Sequence, residues 1–142
     1  MKAIEQMKFV YGLAPISSNT AYTETEIDTK GWGHLRVLIT MGAMTSGGTV
    51  DVKLAELDTA GGSPVDITGA AITQLSGTGG GGKLYAIDVD LTKGVRKRYI
   101  YPVAAAATQA SVTGIVGILS IPTAGSFSGS ATEAGLTEKI SV

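Results

Sequence analysis

Four stretches of the chain carry residue types and spacings that could do chemistry. Gly77-Thr78-Gly79-Gly80-Gly81-Gly82-Lys83 satisfies G-x-G-x-x-G and comes close to the phosphate loop G-x-x-x-x-G-K-[ST]. Both strings work only where the glycines leave a strand and open a helix whose first amides hold the phosphate. Here Leu84 to Val89 follows with strand alternation, and Leu84 stands where a magnesium-binding hydroxyl belongs. The run therefore reads as a hairpin connection. His34 is the single histidine. A Ser-His-Asp triad would place it beside a buried carboxylate and an exposed serine, but no G-x-S-x-G string occurs. Zinc held by one histidine and no cysteine would need an uncommon set of carboxylates. His34 reads instead as a residue at a strand start, beside Trp32.

Asp88 and Asp90 lie two apart, so on a strand they share a face. They could bind calcium with help from Asp58 or Asp66, but the D-x-[DN]-x-[DN]-G spacing that wraps an ion in one loop is missing. The expectation is two solvated carboxylates on an outer face. A carboxylate-pair hydrolase would want a cleft walled by aromatics, and aromatics make up only 6% of the chain. Lys93-Gly94-Val95-Arg96-Lys97-Arg98 packs four cations into six residues, followed by Tyr99 and Tyr101. It reads as a solvated turn or as a docking spot for an acidic partner surface. The formal net charge of −1 places protein docking above nucleic acid, whose binders carry a basic excess. No catalytic, cofactor-binding or metal-binding residue is assigned, and the chain is not expected to be an enzyme.

The elements that must position these residues are strands. Leu35 to Met41 is almost wholly apolar, as a central strand is. Thr49 to Leu54 alternates with Val50, Val52 and Leu54 on one face, and Leu84 to Leu91 with Tyr85, Ile87, Val89 and Leu91. Ala21 to Ile27, Val65 to Leu75, Arg98 to Ala106 and Val112 to Ile121 complete a set of short strands at hairpin-like spacing, with no helical periodicity between them. That pattern predicts an all-β antiparallel sandwich, jelly roll or barrel. Pro15 disfavours helix in the residue before it, so residues 1–20 read as an N-terminal arm. Residues 21–121 form the sandwich domain, and the Gly/Ser/Ala-rich residues 122–142 form a C-terminal arm.

Bulk composition sharpens this picture. The 142 residues suit one core, and 44% hydrophobic against 16% charged excludes a disordered chain. Surplus apolar surface on a small domain is expected in a subunit interface. The absence of cysteine excludes disulfides and thiolate sites. The start of the chain holds no apolar run of signal-peptide length, so the reading is a soluble protein made in the cytoplasm.

Two segments together resemble a group of bacteriophage virion proteins. The first is Ile27-Asp28-Thr29-Lys30-Gly31-Trp32 leading into Leu35-Arg36-Val37-Leu38-Ile39. The second is Val89-Asp90-Leu91 through Lys97-Arg98-Tyr99-Ile100-Tyr101-Pro102-Val103, then Gly114-Ile115-Val116-Gly117-Ile118-Leu119. Residues 20 to 121 thus look like the capsid decoration (cement, or head-stabilising) proteins with a jelly-roll-like β-sandwich. The resemblance implies a structural protein on the outer capsid surface of the virion. It would bind the major capsid protein and copies of itself as a small oligomer such as a trimer, without nucleic acid, membrane or cofactor. Trp32, Arg96, Lys97, Arg98, Tyr99 and Tyr101 are the residues expected at intersubunit or capsid contacts. The alternatives are a tail or neck component, a carbohydrate- or host-surface-binding module, and a small hydrolase or isomerase.

Overall fold

The computed structural model describes residues 6–77, 79–93, 96–121 and 136–142. Period-two alternation organises them into β1 (Met7–Ser18), β2 (Ile27–Asp28), β3 (His34–Met44), β4 (Thr49–Leu57) and β5 (Val65–Ala71). β6 (Leu75–Ser76), β7 (Leu84–Asp90), β8 (Tyr99–Ala107), β9 (Ser111–Ser120) and β10 (Glu138–Ser141) complete the set. Sheet A runs in the order β1-β9-β3-β7-β10, and sheet B in the order β2-β8-β4-β5, with β6 also on β4. Every pairing is antiparallel except β10 on β7. The chain is therefore the all-β sandwich that its alternation predicts.

The core lies between the sheets. Leu35, Val37 and Ile39 of β3 and Ile87 and Val89 of β7 are wholly buried. They meet Val50 and Leu54 of β4 and Ile100 of β8 from the other layer. Each such side chain contributes about 1.5–3 kcal/mol by leaving water. Apolar residues at alternate positions are what allows each strand to offer one face to this layer. The turn after β6 brings the backbone so close that a Cβ on Gly77 would sit 2.1 Å from the Thr45 carbonyl oxygen, so only glycine fits.

Both ends of the sequence differ from expectation. Residues 7–18, read as part of an N-terminal arm, form β1 and pair with β9 from Met7↔Ser120 to Ser18↔Ser111. Pro15 falls in the register shift between Leu13 and Ile16, at the edge of the sheet, where its missing N–H removes no regular ladder bond. Residues 136–142, read as part of the C-terminal arm, contain β10, which lies parallel to β7 from Glu138↔Tyr85 to Ser141↔Asp88. The rest of that expected arm, 122–135, lies outside the described residues.

Two straps close the sides of the sandwich. Residues 21–26, expected as a full strand, make one bridge between Ala21 and Ala105 and then leave the ladder. Within this strap Tyr22 donates its O–H to the Ser111 carbonyl at 2.7 Å, and Thr25 N–H donates to the Gly12 carbonyl at 2.7 Å. On the other side, Glu138 of β10 accepts from Thr73 N–H and Oγ1, tying sheet A to the β5–β6 connection.

Candidate functional site

Five of the six residues singled out as contacts gather around one end of sheet B, and Trp32 stands apart from them. Trp32 follows β2, is half-buried and packs against the core rather than standing free, with its N–H on the Thr29 carbonyl at 3.0 Å. The basic run meets acids of its own chain. Arg98 makes a two-pronged pair with Asp28 at 2.9 and 2.8 Å. Lys97 reaches Asp58 at 2.8 Å, and its backbone N–H donates to Glu56 at 3.1 Å. Arg96 lies 3.4 Å from the same Glu56. Gly94 and Val95 of this run are outside the described residues. The Arg98 guanidinium also sits 5.0 Å from the centre of the Tyr99 ring, within cation–π range. Arg98 holds the Asp28 carboxyl well below the usual carboxylate range, and Asp28 in turn raises Arg98. Three cations that stand together in sequence are thus each matched to a carboxylate in space.

Tyr101 opens onto a different feature, an open cleft of about 730 Å³ on the outer side of sheet B. It is lined by Glu24, Thr25, Glu26, Leu57, Gly61, Gly62, Pro64 and Tyr101. The strap and the β4–β5 connection build its two walls. Glu24 accepts from Ala104 N–H and from the Tyr101 hydroxyl, and Glu26 accepts from Gly61 N–H at 2.9 Å. Burial pushes the Glu24 carboxyl up, against the lowering effect of those hydrogen bonds. The Tyr101 hydroxyl is raised as well, by burial and by the neighbouring Glu24 charge. The carboxylates therefore brace the walls as acceptors, and they leave an acidic trough with one phenol ring.

Three motifs weighed from sequence take definite positions. Lys83 is followed by β7, so the glycine run opens a strand and not a helix. His34 begins β3 opposite Asp90 and Ser120, and burial lowers its imidazole below the usual value. Asp88 departs from expectation. It was read as solvated, yet it is 5% exposed and takes a two-pronged bond from Arg36 at 2.7 Å, with Lys139 of β10 at 3.5 Å. β3 and β10 flank Asp88 on either side and bring a cation each. Asp90, its neighbour on the same face, instead takes Thr92 N–H at 2.9 Å. Among the described residues no group of three or more His, Asp or Glu could hold a metal ion. None of their helices is long and apolar enough to cross a membrane.

Sequence reasoning missed the largest exposed apolar groups. Phe9 and Tyr11 of β1 are 60% and 62% exposed, and Ile16 is 54% exposed. Across the register they extend over the outer face of sheet A. Phe9 lies opposite Ile118 and Tyr11 opposite Val116, and Val116 in turn lies opposite Leu38. The available signal was Phe9-Val10-Tyr11, apolar on both faces, whereas a strand with one wet face alternates.

The fold and these surfaces define a cross-braced β-sandwich with one charge-satisfied face and one apolar edge. Compared with known proteins, the chain matches no family model, no curated protein and no solved structure.

Proposed function

We propose that this chain is a virion structural protein that binds the outer surface of a phage head and stabilises it as a small oligomer, with the jelly-roll-like winding of the decoration proteins it resembles. The observation that carries the reading is the exposed apolar edge of β1, with Phe9 and Tyr11 more than half exposed on a sandwich otherwise closed by straps. Contiguous exposed apolar surface on a small domain marks contact with other protein. A rigid two-layer wall also suits a clamp, because it transmits load without yielding. Several modest contacts engaged at once multiply apparent affinity, which is how such a protein would resist pressure inside a shell. Its partners on this reading are the major capsid protein and copies of itself. The basic end, with Arg96, Lys97, Arg98, Tyr99 and Tyr101, offers a polar contact region. Heat and low-salt challenge of purified heads tests the proposal: heads lacking the protein should open at milder conditions than complete heads. Equal resistance would remove the clamp.

A second reading is supported by the cleft, which sets the Tyr101 ring beside Glu24 and Glu26. Sugar sites combine an aromatic face with carboxylate acceptors, so a carbohydrate- or host-surface-binding module on a tail is the rival. A glycan array without binding above background would retire it, and electron microscopy of native particles would separate a head location from a tail or neck location.

A further inference from the structure

The sheet edges differ in how they are protected. Sheet B ends on one side at β2, two residues long, and on the other at β5. β5 carries Asp66 paired to Lys53 and a left-handed Gly69 (φ +82). Sheet A ends at β10, four residues long, which carries Glu138 and Lys139. Short strands, edge charges and kinks are the usual defences against edge-to-edge pairing. Among the described residues, the opposite edge of sheet A has only one of them between Met7 and Tyr11, the single charge of Lys8. That stretch keeps unbroken register with Ser120 to Val116, and the shifts begin only after Tyr11.

Ile121 N–H donates to the Gln6 carbonyl across from β9. Peptide groups of an antiparallel strand alternate sides, so the even-numbered residues here face β9. The N–H and C=O groups of Met7, Phe9 and Tyr11 therefore point away from β9, to an edge that no other described strand pairs with. Just past them the edge is covered, because Thr25 N–H takes the Gly12 carbonyl.

We infer that this edge binds a second copy of the chain, β1 against β1 and antiparallel, about a two-fold axis at Val10. In that register Phe9 of each copy lies opposite the partner's Tyr11, and the two aromatic pairs stand on the outer face of a continuous sheet. The ladder spans Phe9 to Tyr11, because the strap already caps the edge at Gly12; Lys8, the one charged side chain in the stretch, falls toward the partner's Gly12, so no like charges oppose each other. An isologous contact of this kind is self-complementary and closes at two copies, which consumes the edge. Aromatic cross-strand pairs and ladder bonds supply the attraction. The strands alone bury less than the roughly 1,000 Å² of a standard stable interface, so the dimer depends on concentration. The inference rests on the self-association in the proposed function and names its surface.

Sedimentation velocity over a concentration series tests it, using the full chain. The wild type should shift from monomer to dimer. Tyr11→Lys should lose the dimer peak while keeping the circular dichroism spectrum and thermal midpoint, since Tyr11 is mostly solvent-exposed. Val65→Lys, on the exposed part of β5, should keep the dimer. The absence of cysteine gives a second measurement that does not depend on that variant folding. A mixture of Phe9→Cys and Tyr11→Cys chains should form inter-chain disulfides faster than either chain alone. An oligomer that survives Tyr11→Lys, or equal disulfide rates, overturns the edge pairing while leaving self-association standing. A wild type that stays monomeric throughout overturns the pairing and self-association in solution, and the head-stability assay then still decides the clamp separately.

Discussion

Two of the ion pairs around sheet B lie in water: Lys53–Asp66 has side chains 45% and 61% exposed, and Arg98–Asp28 has 45% on both sides. On the outer side of sheet A the Arg36–Asp88 pair has 12% and 6%. The geometry is alike, with N···O distances of 2.6–2.8 Å in all three. The environment is not. An exposed pair exchanges good hydration for a modest attraction, whereas a buried pair has already lost its water and depends on its partner. Those two pairs thus balance charge on sheet B at little net gain. Sheet A combines a charge network it cannot lose with a border of exposed apolar side chains.

Mutations should separate the two faces. The largest effect is expected at Asp88. Asp88→Ala takes the carboxylate from between Arg36 and Lys139 and should cost about 3 kcal/mol or more, read as a lowered midpoint in urea. Arg36→Met/Asp88→Leu should recover much of that loss, because apolar side chains of similar size replace the buried pair. If Asp88→Ala unfolds at the wild-type midpoint, the contrast between the faces is lost.

The next effect is smaller. Arg98→Ala removes an exposed pair and a cation–π contact and should lower the midpoint far less than Asp88→Ala does. Lys53→Ala should cost still less. Both losses should shrink further in molar salt, which screens exposed charges over about 3 Å, whereas the cost of Asp88→Ala should persist. Chemical denaturation at two salt concentrations would measure this.

The smallest expected effect concerns pH. Burial raises the Glu24 carboxyl above its ordinary 4.5. The folded chain therefore binds this proton more tightly than the unfolded chain, and the site adds stability as pH falls through the raised value. It withdraws that stability as pH rises. Glu24→Gln keeps an acceptor for Ala104 N–H and removes the titration, so its plot of stability against pH should be flatter just above 4.5. A slope equal to wild type would mean that the cleft carboxylate is as well hydrated as those on the open surface.

Much of this contrast was readable beforehand, and some was not, for definite reasons. Val50, Val52 and Leu54, like Tyr85, Ile87 and Val89, alternate so cleanly that their burial follows from the pleat alone. Asp88 follows the same pleat and does point outward, but its burial depends on Arg36 and Lys139, brought alongside by β3 and β10. The pairing of Arg96, Lys97 and Arg98 was not legible, because their acids, Glu56, Asp58 and Asp28, are distant in sequence. β1 was hidden by Pro15 and by apolar residues on both faces, and its partner β9 lies at the other end of the domain. β10 is four residues of mixed character, Glu-Lys-Ile-Ser, and nothing local marks it as a strand.

Side-chain order along the chain was enough to determine the strands of the middle region, the face each turns to the core, and the absence of a helix after the glycine run. Those properties are local, since the pleat and the φ/ψ preferences act between neighbours. Which strands became edges, which charges found partners, and where aromatic rings were left in water were decided only by tertiary structure. They depend on pairings between residues far apart in sequence, and a strand carries no local record of what will lie beside it.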